Sequence, residues 1–227
     1  KLEAMILKTL NWLKEDNYES FSQIAIEKKA FEIADKYVQK GLHNSQINLD
    51  TFKSVWFSNQ HYRNYNYQFP FANYSEKKEL KENYLKLVSD YVIEVKLLDY
   101  QTAIAHIYNQ KKLNTNLEEI LFNIEKIDLD SIHSIYGKFL YHVCWGQIYK
   151  IKRNLEDAQF HYQKAYELIK SSIEITNSVN LKNNYTNTLL ALIDLKTILQ
   201  HADTIELLNE LENFLDCNPT FKAKSGI

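Results

Sequence analysis

Glycine and proline are scarce in this chain, and this scarcity limits the folds it can adopt more than any other feature. Only four glycines and two prolines occur in 227 residues. A β-sandwich or a doubly wound α/β fold needs many sharp turns, and these two residues supply much of the backbone geometry that sharp turns require. Apolar residues also recur at helical spacing along almost the whole chain. The sequence therefore predicts an all-α protein.

The apolar periodicity divides the chain into a series of helices. A single helix over 75–110 would be long for a globular domain, so Asp99 is expected to separate two ordinary helices there. The predicted ranges are about 2–14, 19–40, a helix starting at Thr51, 75–110 with that break, 115–126, 131–152, 155–176, 181–200 and 204–215.

Polar and turn-forming residues mark several of the predicted helix ends. Thr115 and Glu118 have the spacing of a capping box. Gly41 is expected to end the second helix in a left-handed conformation, and Pro70 and Pro219 are expected to block continuation. Three further residues are expected to accept hydrogen bonds from the first backbone N–H groups of a helix, namely Asp50, Asn154 and Asp203.

The stretch 141–169 places its smallest residues where two helices would cross. Gly146 lies in the first predicted helix, and Ala158 and Ala165 lie in the second. A small side chain at a crossing lets two backbones approach closely, while large residues one turn away fill the space beside them. The large residues placed to surround this crossing are Trp145, Tyr149 and Tyr162.

These residues resemble a tetratricopeptide repeat. In that family, a pair of antiparallel helices recurs about every 34 residues, with the pattern W-x2-L-G-x2-Y followed by A-x3-F. His142 stands where the family has Trp, and Lys170 stands where it typically has Pro. The resemblance is strongest over 139–172 and extends more weakly over about 98–215. The matching positions are Gly146, Tyr149, Ala158, Tyr162 in place of Phe, and Ala165.

Weaker copies of the pattern flank this stretch. Ala105 and Tyr108 precede it, and Ala191 follows it, at intervals from Gly146 of about 41 and about 45 residues instead of about 34. The resemblance implies antiparallel helix pairs stacked as a right-handed superhelix. An ordinary helical bundle with one coincidental match is the alternative. The residues expected at helix crossings are Ala105, Trp145, Gly146, Tyr149, Ala158, Tyr162, Ala165 and Ala191.

Stacked repeats of this kind line a concave surface with the first helix of each pair. The resemblance therefore implies a scaffold that binds a protein or peptide in a groove. Two alternatives stay open: a peptide-sensing regulatory domain of a bacterial regulator or effector protein, and a helical enzyme with an unrecognised site. The implied groove residues are Thr102, His106, Asn109, Val143, Gln147, Lys150 and Thr188, and Lys196 extends the row.

Aromatic residues crowd the segment 56–74, where Arg63 is the only lysine or arginine. The rings could pack over neighbouring helices, form a hydrophobic edge that receives a partner, or stack on unpaired bases. A single arginine makes a thin track for phosphates, which weighs against the third interpretation.

Catalysis, cofactors and metal ions are not expected. The histidines lack helical metal-ligand spacing, and no glycine-rich loop is present to cradle a phosphate. His142 and His161 are expected to approach one another across two helices in a buried, hydrogen-bonded role and not as a pair of metal ligands, and Cys144 reads as a small core residue. With 27 basic and 29 acidic residues, the formal net charge of -2 provides no general attraction to nucleic acid or anionic lipid.

The remaining sequence features concern location and organisation. Two cysteines without a CxxC pair favour a reducing, cytoplasmic setting. No apolar run approaches the roughly 18 residues that cross a bilayer, so no membrane partner is expected, and self-association stays open. Residues 1–74 are expected to form N-terminal helices with the aromatic connection, and 75–227 the repeats. Together they would make one continuous elongated domain, as a fragment of a longer protein.

Overall fold

The structure is a computed structural model that describes residues 17–70, 74–110, 116–176 and 178–218, with the side chains of 109, 110 and 116 excepted. These residues contain nine α-helices, one short 3-10 turn and no strand, which confirms the all-α prediction for them. The predicted helix 2–14 lies outside the described residues. The helices are α1 (Tyr18–Glu27), α2 (Phe31–Ile47), α3 (Thr51–Gln68), α4 (Tyr74–Gln110), α5 (Asn116–Glu125), α6 (Ile135–Ile151), α7 (Leu155–Ile173), α8 (Val179–Ile198) and α9 (Thr204–Cys217).

Two of the predicted caps make the expected hydrogen bonds. The Asp50 carboxylate accepts the backbone N–H of Lys53 at 3.0 Å, and the side chain of Asn154 accepts that of Asp157 at 3.4 Å. These bonds satisfy backbone donors that the first turn of a helix leaves unpaired. As predicted, α3 also ends before Pro70.

The third predicted cap is used differently. Asp203 precedes α9 but makes no capping hydrogen bond with its side chain. Its carboxylate binds the ammonium group of the buried Lys196, and this hydrogen bond lowers the pKa of Asp203. A buried ammonium needs a charged partner more than the helix end needs a cap. The capping box predicted at Thr115 and the block to helix continuation predicted at Pro219 lie outside the described residues.

Gly41 does not end a helix, contrary to the prediction. The predicted helix 19–40 is broken instead at Lys29, whose backbone φ is 57°, and α2 then continues through Gly41. Gly41 is buried against α3, and a Cβ atom at this position would overlap the ring of Phe57. The glycine is therefore needed for close approach of two helices and not for a turn.

The long helix α4 runs unbroken from Tyr74 to Gln110, so the predicted division at Asp99 is wrong. Its 37 residues correspond to about 55 Å of helix. No glycine or proline interrupts it, and Asp99 points to solvent. The buried side chains of Leu97 and Ile104 lie on either side of the predicted break and continue one core face through it.

The chain divides into two compact units, residues 1–93 and 94–227, and the division falls within α4. The boundary that we predicted after residue 74 lies at the start of this helix.

In the first unit, α1 packs against α2 and α2 packs against α3. The hydroxyls of Ser45 and Ser54 share a buried hydrogen bond of 2.9 Å between α2 and α3. Further along the same two helices, Nδ1 of His61 lies 2.5 Å from the carboxylate of Asp35. These polar contacts fix the register in which Gly41 meets α3.

In the second unit, α6 packs against α7, α7 against α8, and α8 against α9. The helix α6 starts at Ile135, later than predicted, because Ser134 caps it by accepting the Gly137 N–H at 2.9 Å. The Ser134 hydroxyl in turn donates to the buried carboxylate of Glu94 at 2.6 Å. The large, fully buried side chains of this unit include Leu97, Ile104, Ile124, Ile132, Phe139, Leu140, Ile148, Ile169, Leu189, Leu192 and Leu195.

One carboxylate ties the last three helices of this unit together. Glu210 on α9 accepts hydrogen bonds from the hydroxyls of Tyr166 on α7, at 2.6 Å, and Tyr185 on α8, and from the Lys170 ammonium at 2.9 Å. Burial acts to raise the pKa of Glu210, but these hydrogen bonds outweigh it and hold that pKa below its ordinary value. The sequence pattern does not predict this cluster, because its members lie on three separate helices.

Candidate functional site

The crossing of α6 and α7 is built from small residues. Ala158 and Ala165 are fully buried on α7, and Gly146 is buried on α6. A Cβ atom added to Gly146 would lie 2.9 Å from the ring of Tyr162, closer than packed carbon atoms normally approach. The aromatic ring therefore occupies the space that the glycine leaves open.

A cluster of aromatic rings and histidines lies at the same crossing. Nδ1 of His142 on α6 lies 3.0 Å from Nδ1 of His161 on α7, so the two rings approach across the helices as predicted and share a hydrogen bond. The ring of His161 stacks on those of Trp145 and Tyr149. Burial lowers the pKa of both histidines, and that of His142 to about 4. Burial likewise raises the pKa of the Cys144 thiol to about 12, which leaves it unreactive.

The histidine pair should make the protein less stable in acid. The folded-state pKa of His142, about 4, is below its ordinary 6.5, so between these values the unfolded chain binds more protons. We therefore expect the free energy of unfolding to fall as the pH drops from 6.5 to 4. The loss should be about 1–2 kcal/mol, allowing for solvent screening of this half-buried ring.

The measurement is urea unfolding across this pH range. The His142→Gln variant should lose less stability than the wild type, whereas the exposed control His43→Gln should behave like the wild type. Parallel pH profiles for His142→Gln and the wild type would contradict the assignment.

A pocket of about 170 Å³ opens on the other side of α6. The C-terminal half of α4, the C-terminal half of α6 and one residue of α7 contribute to it, all within the second unit. Gln147 and Lys150 come from the predicted groove, and Ala105 and Tyr162 come from the predicted crossings. The lining residues are Ile104, Ala105, Tyr108, Gln147, Lys150, Ile151 and Tyr162.

The polar groups of the pocket differ in how they are satisfied. Nζ of Lys150 lies 3.3 Å from the carboxylate of Asp194 on α8, which pairs its charge. Burial raises the pKa of Tyr162, so its hydroxyl keeps its proton. Oε1 of Gln147 is buried and has no hydrogen-bond partner among the described residues. An unpaired buried acceptor is costly, and a bound donor would relieve that cost.

The other predicted groove residues lie in different surroundings. Thr102 and His106 are exposed on α4, and the side chain of Asn109 lies outside the described residues. Val143 and Thr188 are 5% and 3% exposed, and the Thr188 hydroxyl donates to the backbone carbonyl of Asn184. Neighbouring helices cover these last two, so neither presents a side chain to a partner in this structure.

Two further predicted residues, Lys196 and Ala191, also lie away from the pocket, whereas Ala105 lies at its edge. Lys196 is buried in its ion pair with Asp203, so it does not extend the row of groove residues. Ala191 is partly buried on α8. Ala105 is exposed on α4, at the edge of the pocket.

The aromatic segment is mostly part of α3, with its rings divided between core and surface. Phe57 is buried and meets Trp56 edge to face, and Tyr67 stacks on Phe31 of α2. Phe69 is half exposed. Asn64 is 1% exposed, and neither of its amide atoms has a hydrogen-bond partner within the described part of the chain. Sequence spacing could not have identified Asn64, since nothing in the pattern marks it as buried.

Two other kinds of site are absent from the described ranges. No group of three or more histidine, cysteine, aspartate or glutamate residues there is arranged to hold a metal ion. None of the helices described combines the length and the apolar character needed to pass through a bilayer.

The chain matches no protein-family model, no curated protein and no solved structure. Its function is therefore inferred from the geometry of the pocket and from the chemistry of the residues around it.

Proposed function

We propose that this protein is a scaffold that binds a segment of a protein or peptide. In this proposal the helix pairs stack as a tetratricopeptide-like right-handed superhelix, and the partner lies along α4 and α6. The pocket bounded by Tyr108, Gln147 and Lys150 is the observation that carries the proposal.

Two properties of the pocket support a binding role. Two of its lining residues, Ile104 and Tyr162, are buried in the core, so part of the site is formed before a partner binds, and preformed sites lose less free energy to ordering. Tyr108 keeps 56% of its surface exposed at the edge, where its ring can cover an incoming side chain.

The size of the pocket favours a peptide over a cofactor. Sites for small molecules typically enclose about 300–1,000 Å³, whereas this pocket encloses about 170 Å³. It has room for one side chain of a longer segment, whose backbone would then lie on the exposed surface of α4 near Thr102 and His106. The free thiols of Cys144 and Cys217 are compatible with a cytoplasmic location, which belongs to the same proposal.

The test is selection of binding peptides from a random peptide library, followed by affinity measurement with variants. We expect the double variant Gln147→Ala with Lys150→Ala to weaken binding of a selected peptide about tenfold or more, the equivalent of one lost polar contact. Helix content and melting temperature should stay unchanged, because Lys150 and its partner Asp194 both reach solvent.

A matched control is the double variant Gln39→Ala with Lys40→Ala, which removes the same two residue types from an exposed face of α2. It should bind like the wild type. Failure to select any peptide would overturn the scaffold role. A selected peptide with unaltered affinity for the Gln147 and Lys150 variant would remove this face from the proposal.

A further inference from the structure

The chemistry of the pocket restricts which side chain it can accept. Three aliphatic residues, Ile104, Ala105 and Ile151, form its apolar walls, and the rings of Tyr108 and Tyr162 form two more sides. Tyr162 is almost completely buried, so its ring is a fixed wall, whereas the exposed ring of Tyr108 can close over a ligand. Flat aromatic groups gain most from such surroundings, because ring pairs add to the free energy of apolar burial.

The charges around the pocket disfavour an ionised ligand. Among the described residues, Lys150 is the only ionised side chain of the lining, and the carboxylate of Asp194 pairs it at 3.3 Å. A ligand carboxylate or ammonium would lose its hydration without gaining an unpaired opposite charge, which is unfavourable. The side chain that binds is therefore uncharged.

Gln147 determines which polar group the bound side chain should carry. Gln147 belongs to the pocket lining, and its buried Oε1 atom has no hydrogen-bond partner among the described residues. The terminal torsion of a glutamine has broad minima, so a small rotation can bring this oxygen to a donor inside the pocket. A ligand with an N–H or O–H at the edge of its ring satisfies the acceptor.

We infer that the partner segment anchors in this pocket with an uncharged aromatic side chain that carries a hydrogen-bond donor, a tryptophan or a tyrosine. This inference rests on the proposed scaffold function and adds the identity of the anchor. The indole or phenol ring lies between Tyr108 and the aliphatic walls, and its N–H or O–H donates to Gln147.

The test is titration of the whole chain with small aromatic probes. Binding is observed by nuclear magnetic resonance of isoleucine methyl groups and glutamine side-chain amides. Indole and p-cresol should shift the signals of Ile104, Ile151 and Gln147 saturably. Both should bind about tenfold more tightly than toluene, which has no donor, as one hydrogen bond to a buried acceptor predicts. Benzoate, which is charged, should cause no saturable shift at these residues.

Variants separate the parts of the inference. Ala105→Leu should fill the pocket and abolish indole binding, whereas Ala103→Leu, on the same helix but outside the lining, should not. Gln147→Met should reduce indole to the affinity of toluene while leaving toluene unchanged. Equal binding of toluene and indole to the wild type, a preference for benzoate, or no shift with any probe would each overturn the inference.

The probe experiment and the peptide selection can fail separately. Selected peptides that bind at this face, together with silent aromatic probes, would leave the scaffold role standing and remove the aromatic anchor. Saturable indole binding without any selectable peptide would overturn the scaffold role and leave the preference of the pocket for an aromatic donor standing.

Discussion

The Gly146→Leu variant is expected to lose about 1–3 kcal/mol of unfolding free energy, the usual cost of overpacking a well-packed core. The Tyr162 ring already lies within 2.9 Å of where a Cβ would stand, and both neighbouring alanines of α7 are fully buried. A leucine side chain can therefore be accommodated only if α6 and α7 move apart. Such a movement would also separate His142 from His161 and disturb the stacked rings beside them.

The measurement should report on the second unit alone. Fluorine resonance from fluorotryptophan distinguishes Trp145, next to Gly146 on α6, from Trp56 in the first unit. We expect the urea midpoint reported by Trp145 to fall in Gly146→Leu and to fall less in Gly146→Ala, since the single methyl group of alanine requires a smaller shift of the Tyr162 ring and alanine gains helix propensity. A leucine variant that unfolds like the wild type would mean that Gly146 does not lie at a helix contact.

The Gly41→Ala variant is expected to destabilise the first unit by about 2–3 kcal/mol, even though alanine favours a helix over glycine by about 1 kcal/mol. The added methyl group would overlap the Phe57 ring, which is itself 4% exposed and cannot turn outward. If Gly41 were a helix terminator, as its sequence context suggested, a substitution would act through backbone strain. In α2 it lies mid-helix, so its effect comes from packing.

A double-mutant cycle tests this origin directly. Phe57→Leu removes the ring that overlaps the new methyl group, so Gly41→Ala should cost less in the Phe57→Leu background than in the wild type, with a coupling of about 1 kcal/mol or more. The Trp56 signal is the appropriate reporter, because its ring contacts Phe57. Strictly additive effects would show that the glycine does not face this ring.

Local features of the structure could be predicted well from the sequence. The caps at Asp50 and Asn154 form because an acceptor side chain just before a helix meets backbone donors only three residues away. The end of α3 before Pro70 is similarly local. Each of these depends on a few consecutive residues, which the sequence displays directly.

Predictions failed where a distant residue changed the role of a local one. Asp203 precedes a helix as a cap would, but its carboxylate forms an ion pair with the buried ammonium of Lys196. Asp99 lies within a helix because the core face of α4 continues past it. In both cases a tertiary contact or continuous burial outweighed a signal of about 1 kcal/mol, the typical contribution of a cap.

The candidate site was predicted only in part. Helical spacing placed Gln147 and Lys150 on one face of α6, and both line the pocket. The same spacing selected Val143 and Thr188, which other helices cover. Asp194, which pairs the charge of Lys150, was not predicted, because 44 positions separate the two residues along the chain.

The sequence by itself determined that the described chain is helical and where many of its helices begin, because turn-poor composition, apolar periodicity and caps act over a few residues. Only the tertiary structure decided which small residues lie at contacts between helices and which polar side chains remain accessible to solvent. Whether a residue is buried depends on which helix packs against it, and a single sequence does not identify that helix. The pocket beside Gln147 exists because three helices, each unremarkable by itself, meet there.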